Sequence, residues 1–263
     1  MKQSLDKELI LEGLQDTIFS RNFLLYKSIG STNTAAKELA ITGAPEGILV
    51  LAEEQTSGKG RMDRRWLSRG GENLIFTILL RPTLKADNIF LLTMILAIST
   101  IDAVKEMAGL DILIKWPNDL YVDGKKLAGI LTEFSIKDGT VEYVIIGQGL
   151  NVGWMPQETE GIPYPATSIL AETGLTVSRN DLLISILKRF EKTYRQALAG
   201  NKEDLHTRWN KLSLVIGRDV EIISPDEIIR GKAIAIDHDG ALILQNSTGD
   251  VIKILSGDVS LRM

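Results

Sequence analysis

A two-residue turn, Asp123-Gly124, constrains the fold of this chain more than any other local feature. Asp-Gly between runs of alternating apolar residues is a strong signal for a tight β-hairpin, because both turn residues take positive φ. The return strand is predicted to begin at Lys126, and a further strand is predicted at 141–152. Hairpins outnumber strand–helix–strand crossovers in this part of the chain. We therefore predict an α+β fold, in which helices pack on a mixed, mostly antiparallel sheet rather than on a doubly wound parallel one.

The remaining patterns divide the chain into two predicted domains. Residues 87–108 and 178–198 have helical spacing of apolar residues, and the first of these is apolar on nearly all sides over its first half. After Ile216, four short strands separated by Gly, Asp and Asn turns predict a small SH3-like β-barrel. The predicted domains are a catalytic domain at 1–212 and the barrel at 213–263.

Composition excludes several classes of chemistry. The chain contains no cysteine, so disulfides and thiol catalysis are excluded. Its two histidines, His206 and His238, are far apart in sequence, which argues against a histidine-based metal site. The apolar runs are interrupted well short of the ~20 residues of a membrane-spanning helix, and the first residues do not resemble a signal peptide. We predict a cytoplasmic protein with no membrane partner, and the net charge of −4 argues against general nucleic-acid binding.

The stretch 53–66 holds a concentration of cations that is unusual in an acidic chain. The cations are Lys59, Arg61, Arg64 and Arg65; Asp63 lies among them, and Gly58 and Gly60 alternate with the first two. Glycines between cations let the backbone approach a ligand closely while the side chains neutralise phosphate. The spacing is not that of a Walker A loop, and no Gly-x-Gly-x-x-Gly opens a helix after a strand. The stretch therefore predicts a phosphate-binding loop of another kind.

The triplet Ser31-Thr32-Asn33 precedes a predicted amphipathic helix. Two interpretations are open for it. Its side chains could cap the helix and do nothing else, since Ser, Thr and Asn are favoured at that position. Alternatively, the hydroxyls and the amide could also bind a polar ligand at the helix N-terminus.

Six segments together give the chain a resemblance to the biotin protein ligases. In chain order they are Ser31-Thr32-Asn33; Gln55-x-x-Gly58-Lys59-Gly60-Arg61-x-x-Arg64-x-Trp66; Lys115-Trp-Pro-Asn-Asp119; Lys126-Leu-Ala-Gly-Ile-Leu-x-Glu133; Gly147-x-Gly-x-Asn151; and Ser256-Gly-Asp-Val-Ser-Leu-Arg262. Each segment is weak alone, but the ordered set spans nearly the whole chain and is highly specific. The resemblance implies a class II synthetase-like catalytic domain and an ATP-dependent, AMP-forming ligase. Such an enzyme activates biotin as biotinyl-5′-AMP and transfers it to a lysine of a carboxyl carrier protein.

The resemblance also assigns roles to single residues. Arg61 and Lys126 are the catalytic pair: Arg61 contacts biotin and helps retain the adenylate, and Lys126 binds the biotin carboxylate and then the acyl-phosphate oxygen. The biotin site comprises Ser31, Thr32, Asn33, Gln55, Lys59, Gly60, Arg61, Lys126 and Gly129, with the triplet and Gln55 satisfying the ureido ring. The ATP and adenylate site comprises Gly58, Arg64, Trp66, Lys115, Asn118 and Asn151, and Asp119 would hold Mg²⁺. Trp66 has a core position as its alternative, and Asp119 has a simple turn as its alternative.

One departure from the family pattern concerns the cationic loop. Family members often read Gly-Arg-Gly-Arg-Arg-Gly-Arg, whereas this chain reads Gly-Lys-Gly-Arg-Met-Asp-Arg. Lys59 keeps the charge but lacks the bidentate fork of arginine, Met62 removes a cation and Asp63 replaces a glycine. Loop flexibility and retention of the adenylate are therefore expected to differ from those of the family.

Partners and competing functions follow from the same resemblance. The expected partner is the biotin carboxyl carrier protein of acetyl-CoA carboxylase or of another biotin-dependent carboxylase, and a homodimer formed through sheet edges is expected. Only thirty residues precede Ser31, so we expect no winged helix and no operator-binding repressor function. The alternatives are a lipoate or octanoate ligase on the same fold, which would need a longer apolar channel, and a non-catalytic biotin sensor. The intact Arg61 and Lys126 argue against the sensor.

Overall fold

The structure is a computed structural model, and it describes residues 4–62, 64–154, 165–223, 227–255 and 257–261. Two β-sheets and six α-helices are found within these ranges. Asp63 of the cationic loop, residues 155–164, and Ser256 and Arg262 of the terminal motif lie outside the described residues.

The larger sheet has seven strands and confirms the predicted α+β class. Its strands are β1 (Asn22–Tyr26), β2 (Ile48–Ala52), β3 (Asn73–Leu80), β4 (Leu113–Lys115), β5 (Asp119–Val122), β6 (Lys125–Lys137) and β7 (Thr140–Asn151). The order across the sheet is β1-β2-β3-β7-β6-β5-β4. Only the β1–β2 pair is parallel, and the other five pairs are antiparallel. The sheet is therefore mixed and mostly antiparallel, as the hairpin signals predict.

The predicted hairpin joins β5 to β6. Asp123 has φ of 46° and Gly124 has φ of 76°, the positive values that a two-residue turn of this type requires. The strand register pairs Asp119 with Gly129 and Tyr121 with Lys126. The turn thus places the start of the return strand beside the end of the segment Lys115-Trp-Pro-Asn-Asp119.

Helices cover both faces of the sheet. They are α1 (Lys7–Gly13), α2 (Thr32–Ile41), α3 (Phe90–Ala108), α4 (Ile169–Thr173), α5 (Arg179–Leu198) and α6 (Glu203–Leu212). Side chains alternate between the faces along β2, so that Leu49 and Leu51 join the core with α3 and α5 while Ile48 and Val50 join a smaller core under α2. The sheet therefore separates two cores, and α2 covers the face that carries the smaller one.

Helix α3 is the apolar helix predicted at 87–108. With the turn before it, the segment 86–108 is long and apolar enough to cross a membrane by length and composition, yet most of it is buried inside the protein. Thirteen residues of α3 are buried. A helix that is apolar all round is expected in the centre of a core, and α3 lies there between the sheet and α5.

The second sheet is antiparallel and follows α6. Its strands are β8 (Asp219–Ile223), β9 (Ile228–Ile236), β10 (Leu242–Gln245), β11 (Val251–Ile254) and β12 (Asp258–Leu261), in the order β11-β10-β9-β8-β12. Four strands were expected, and the fifth is formed by the terminal motif pairing with β8. The pairings among the described residues do not close the sheet into a barrel. The boundary at 212/213 stays a prediction.

The two sheets are joined through a tight turn at Gly240. The buried indole of Trp116 donates a hydrogen bond from Nε1 to the Gly240 carbonyl oxygen, at 2.8 Å. Gly240 has φ of 83°, and a Cβ added to it would lie 2.0 Å from the ring of Phe90. Only glycine fits this position, because both the backbone conformation and the contact with α3 exclude a side chain. The turn fixes the second sheet against the segment that carries Asn118 and Asp119.

The two histidines meet at this junction although they are distant in sequence. The rings of His206 and His238 lie 4.6 Å apart between centroids, in an edge-to-face arrangement. Burial, and then the charge of His238, lower the pKa of His206 below its usual value of 6.5; Asp237 acts in the opposite direction, and Lys202 also lowers it. The surroundings therefore favour the neutral form of His206.

The lowered pKa of His206 predicts a pH dependence of stability. Because the pKa of His206 is lower in the folded than in the unfolded chain, the unfolded state binds more protons below about pH 6.5, and the free energy of unfolding falls as the pH falls. Urea unfolding measured between about pH 7.5 and 5.5 should show this fall. The variant His206→Asn should show a shallower dependence over the same interval. If the free energy of unfolding of the variant depends on pH as steeply as that of the wild type, another group is responsible for the pH dependence.

Candidate active site

A cavity of about 280 Å³ opens on the α2 side of the sheet. It lies between the N-terminus of α2, the cationic loop, the β4–β5 turn, residues 129–131 of β6 and residues 147–149 of β7. Ile223 and Val259 of the second sheet complete its wall. The predicted site residues along it are Ser31, Thr32, Asn33, Gln55, Lys59, Gly60, Arg61, Arg64, Trp66, Lys115, Asn118, Asp119, Lys126 and Gly129. These residues come from four of the six matched segments, and Gly147, Gly149 and Val259 of the lining belong to the other two.

The cationic loop folds as a short irregular hairpin over this cavity. Gly60 N donates to Arg64 O at 2.7 Å, and Trp66 N donates to Gly58 O at 2.9 Å. A Cβ on Gly58 would lie 2.5 Å from Trp66 O, so this glycine permits close approach of the two arms of the loop. Met62 at the tip has φ of 53°, a conformation that costs a non-glycine residue about 1 kcal/mol or more.

The walls of the cavity carry a strong excess of positive charge. Among the described residues, its lining includes six cations and one carboxylate, namely Lys59, Arg61, Arg64, Arg65, Lys115, Lys126 and Asp119. Lys126 Nζ lies 2.7 Å from Asp119 Oδ1, and both side chains are mostly buried. The remaining cations outnumber any negative charge that the lining supplies. An anionic ligand, or a polyanion such as a nucleotide, fits this field.

Burial changes the acidity of two of these cations. Desolvation lowers the pKa of Lys115; Asp119 opposes that effect, while Lys126 and Arg64 add to it. Desolvation likewise lowers the pKa of Arg61, which reaches over the cavity to the second sheet, where Nη1 lies 3.5 Å from Gly257 O. A bound anion would offset the cost of burying these charges, because it returns the favourable interactions that water provided.

Trp66 forms one side of the cavity and is partly exposed, so it is not a core residue. Its indole packs on Gly149, where an added Cβ would lie 2.2 Å from Cε2. Lys126 Nζ lies 5.9 Å from the centre of the ring, within reach of a cation–π interaction. The buried Nε1 has no hydrogen-bond partner among the described residues. A flat apolar wall therefore stands beside the lysine that the resemblance makes catalytic.

The opposite end of the cavity is neutral and rich in hydrogen-bonding groups. Ser31 occupies the N-cap position of α2, but its side chain makes no capping hydrogen bond and faces the cavity. Thr32 donates to Gln55 Oε1 from its backbone nitrogen at 2.8 Å and from its hydroxyl at 3.0 Å. Asn33 donates from Nδ2 to Glu133 Oε2 at 2.8 Å. Side-chain capping therefore does not account for this triplet.

The structure does not bring two of the predicted ligand residues to the cavity. Gly58 is buried in the loop, as described above. Asn151 is 5% exposed, accepts a hydrogen bond from Asn73 at 2.8 Å and donates one to Thr167 O at 2.9 Å. Both functional atoms of this amide are thus engaged within the protein. Its assignment to the nucleotide stays a prediction.

Several residues of the site have no signal in the sequence. Thr77 lies under the triplet and is fully buried, Tyr121 packs its ring 5.2 Å from Lys115 Nζ, and Ile223 and Val259 come from the second sheet. Glu133 and Val259 are parts of matched segments, and these matches were the only signals that could have found them. Thr77, Tyr121 and Ile223 are ordinary strand residues in sequence.

Asp119 is the one residue of this lining that suits a cation such as Mg²⁺. No group of three or more His, Asp or Glu residues that could hold a metal ion is found within the described ranges. Magnesium bound with a nucleotide typically needs only one or two protein carboxylates, since phosphates and water supply the other ligands. The residues present fit that mode, and the assignment of Mg²⁺ to Asp119 stays a prediction.

The fold and site together match known proteins. Residues 25–151 match the Biotin/lipoate A/B protein ligase family, and residues 215–262 match the Biotin protein ligase C terminal domain. These matches assign the chain to the class of the biotin and lipoate protein ligases.

Individual relatives narrow this class. The chain is 35% identical over 250 residues to a "Bifunctional ligase/repressor BirA" of Bacillus subtilis, covering 95% of this chain and 77% of the relative. It is 31% identical to a "Biotin--[acetyl-CoA-carboxylase] ligase" of Paracoccus denitrificans, covering 83% of this chain and 92% of the relative. A solved structure of the biotin protein ligase from Aquifex aeolicus in complex with biotin and ATP superposes with a TM-score of 0.77 at 28% identity, covering 92% of this chain and 99% of that one. The chain belongs to the biotin protein ligase family.

Proposed function

We propose that this chain is a monofunctional biotin–[biotin carboxyl carrier protein] ligase. It activates biotin with ATP to biotinyl-5′-AMP and pyrophosphate, and then transfers biotin to a specific lysine of the carrier protein. The observation that carries the proposal is the difference in polarity between the two ends of this cavity. One end, at Ser31 and Gln55, is neutral and forms hydrogen bonds, and the other end, at Arg61, Lys115 and Lys126, is cationic. Biotin has a neutral ureido ring at one end and a carboxylate at the other, and the carboxylate must meet a triphosphate.

The cationic end suits the activation step. A biotin carboxylate oxygen attacks the α-phosphorus of ATP, and the bond from that phosphorus to the bridging oxygen of pyrophosphate breaks. Lys126 holds the carboxylate and then the acyl-phosphate oxygen, and its ammonium can follow that oxygen because it is a point charge on a flexible stem. Arg61 stabilises the developing negative charge on the phosphoryl oxygens.

The same groups serve the transfer step. The neutral amine of the carrier lysine attacks the acyl carbon of the adenylate, an amide bond forms, and AMP leaves with the electron pair of the broken acyl–oxygen bond. The cations that bind the phosphate also stabilise AMP as the leaving group. Trp66 covers one side of the cavity and limits access of water, which would otherwise hydrolyse the adenylate.

The relatives support this assignment. The Paracoccus relative is named for biotin and acetyl-CoA carboxylase, and the Aquifex structure holds biotin and ATP. A carboxyl carrier domain is therefore the proposed protein substrate. The family that matches residues 25–151 includes lipoate ligases, so biotin must be tested against lipoate.

The test is incubation of the purified protein with ATP, Mg²⁺ and radiolabelled biotin, with and without a carrier domain. The labelled adenylate should form without the carrier, and the label should move to a carrier lysine when the carrier is added. Absence of both products would refute the proposal. Lipoate and octanoate form the control arm, and labelling by either at the rate of biotin would favour the alternative ligase. Binding of biotin without any adenylate would favour a sensor.

Three further properties are proposed with the function. The protein acts in the cytoplasm, forms a homodimer through sheet edges and lacks operator binding. Sedimentation with and without biotin and ATP tests the dimer. A gel-shift titration with DNA from upstream of biotin-synthesis genes tests the last point, and a retarded complex would make the protein bifunctional.

Ordering of the cationic loop by ligand is a separate expected result. Four cations crowded into one short loop repel one another, and a bound adenylate would neutralise them. Trypsin should therefore cut after Arg61, Arg64 or Arg65 more slowly when biotin and ATP are present. Equal cleavage rates with and without the ligands would contradict the ordering.

A further inference from the structure

A chain of buried hydrogen bonds runs beneath the neutral end of the cavity. The hydroxyl of Thr77, on β3, lies 2.8 Å from both Thr32 Oγ1 and Asn33 Oδ1, and it donates its single hydrogen to one of them. Asn33 in turn donates from Nδ2 to Glu133 Oε2 at 2.8 Å and to Leu131 O at 3.3 Å. The Asn33 amide nitrogen is therefore satisfied by the protein itself, and the Thr77 hydroxyl lies within hydrogen-bonding distance of the amide oxygen.

A glycine on the strand opposite Thr77 leaves space for the side chains of this hydrogen-bond chain. Thr77 pairs with Gly147 across β3 and β7. A Cβ on Gly147 would lie 1.9 Å from Asn33 Oδ1, so the missing side chain makes the space in which the Asn33 amide lies. The Asn33 side chain thus inserts between α2 and the sheet, and it fixes the first turn of α2 on that face.

The fixed turn determines which way the Gln55 amide faces. Gln55 Oε1 accepts hydrogen bonds from both the backbone nitrogen and the hydroxyl of Thr32. With two donors on its oxygen, the amide presents Nε2 to the cavity, where it can only donate. A hydrogen-bond acceptor of the ligand, such as a ureido carbonyl oxygen, fits this position.

We propose that Thr77 and Glu133 are positioning residues for ligand specificity. Through Thr32 and Asn33 they hold the Gln55 amide with its nitrogen toward the cavity. In this orientation the amide donates a hydrogen bond to an acceptor atom on the neutral end of the ligand. Thr77 does not line the cavity, and its effect is therefore transmitted. The identity of that ligand as biotin rests on the proposed function, whereas the hydrogen-bond chain exists without it.

The first experiment tests the hydrogen-bond chain in the ligand-free protein by hydrogen exchange. In Thr77→Val the hydroxyl is lost at nearly constant volume, and the Thr32 amide, followed by NMR hydrogen exchange, should exchange about tenfold faster or more than in the wild type. Thr77→Ser keeps the hydroxyl and should exchange at nearly the wild-type rate. Equal exchange in Thr77→Val and wild type would overturn the proposal, whether or not the protein binds biotin.

The second experiment measures recognition. The dissociation constant for biotin, by calorimetry, should rise about tenfold or more in Thr77→Val, while kcat at saturating biotin stays near that of the wild type. Glu133→Leu should act in the same direction, and Glu133→Gln, which keeps an acceptor for Asn33, should recover most of the affinity. Desthiobiotin, which retains the ureido group, should lose affinity by the same factor.

The matched control is Thr93→Val. Thr93 is also buried and its hydroxyl also pairs with a threonine, Thr132 at 2.8 Å, but it lies on α3 and is neither among the residues that line the cavity nor bonded to Thr32, Asn33 or Gln55. The variant Thr93→Val should have a lower melting temperature than the wild type and the same affinity for biotin. An affinity loss in Thr93→Val equal to that in Thr77→Val would show a general loss of stability and would overturn the positioning role. If the wild type itself fails to bind biotin, the proposed function fails, and the exchange measurement still decides the hydrogen-bond chain.

Discussion

Replacing Lys126 by methionine should reduce the rate of adenylate formation by about 10²–10³, the usual cost of removing one group that stabilises charge in a transition state. Methionine has a similar length and keeps the apolar contacts of the lysine stem, so the change removes mainly the charge. The backbone of Lys126 is held on both sides, because its nitrogen donates to Pro165 O at 2.9 Å and its carbonyl accepts from Thr167 N at 2.9 Å. The side chain therefore starts from a fixed point, and a substituted group cannot move closer to compensate. Release of pyrophosphate from biotin and ATP measures the effect.

The neighbouring lysine provides the control. Lys125 lies next to Lys126 on the same strand, but it pairs with Glu172 away from the cavity. Lys125→Met should retain the wild-type rate to within about threefold, since partly exposed ion pairs contribute little. Lys126→Arg keeps the charge, but its planar fork occupies a different volume, and we expect it to recover only part of the rate. A Lys126→Met protein that remains folded and forms adenylate at more than a tenth of the wild-type rate would show that another group binds the carboxylate.

Replacing Arg179 by methionine should lower the free energy of unfolding by about 3–5 kcal/mol, as expected when a buried ion pair loses one partner. Arg179 is 3% exposed, lies 2.8 Å from Glu53 Oε2 and donates to Asn73 O at 2.9 Å. Glu53 also accepts from Leu5 N at 2.7 Å, so this carboxylate ties the start of α5, the N-terminal segment and the end of β2 together. The cationic loop begins at the end of β2. The loss should therefore appear in urea unfolding and also in weaker binding of biotin.

The same helix contains the control for this prediction. Arg189, also on α5, pairs with Glu106, but the two side chains are 38% and 63% exposed. Arg189→Met should cost no more than about 1 kcal/mol. Adding Glu53→Leu to Arg179→Met should restore part of the stability, because it removes the buried charge that the first change leaves unpaired. Equal costs for Arg179→Met and Arg189→Met would contradict the importance of the buried pair.

The class of the fold was predictable because it depends on local signals. The Asp123-Gly124 turn fixes one hairpin, and the apolar helix at 87–108 fixes the centre of the core, so that neither requires knowledge of distant contacts. The cavity was largely predictable for a different reason. The segments from Ser31 to Lys126 carry polar and charged residues at spacings that a solvated surface would not need.

The features that the sequence did not predict depend on contacts over long separations. Thr77 has no signal because its role arises only when β3 passes under α2, 45 residues away in sequence from its partner Thr32. Gly58 and Asn151 carry the residue types of a ligand site, but the close packing of the loop and the pairing with Asn73 account for their positions. Five strands replace the predicted four because the terminal motif, which looks like a binding segment in sequence, pairs with β8. Whether these strands close into a barrel depends on their edge pairing, which turn signals do not determine.

The wall that Ile223 and Val259 supply to the cavity has a consequence for synthesis of the protein. Arg61 and Val259 face the same cavity, yet the ribosome makes about 200 residues between them, which takes on the order of 10–40 s at 5–20 residues per second. During that interval the first sheet can form and present its cations to solvent, while the enclosure that protects a reactive adenylate is still missing. The long sequence separation of this wall therefore delays the competence of the enzyme until translation has passed the second sheet.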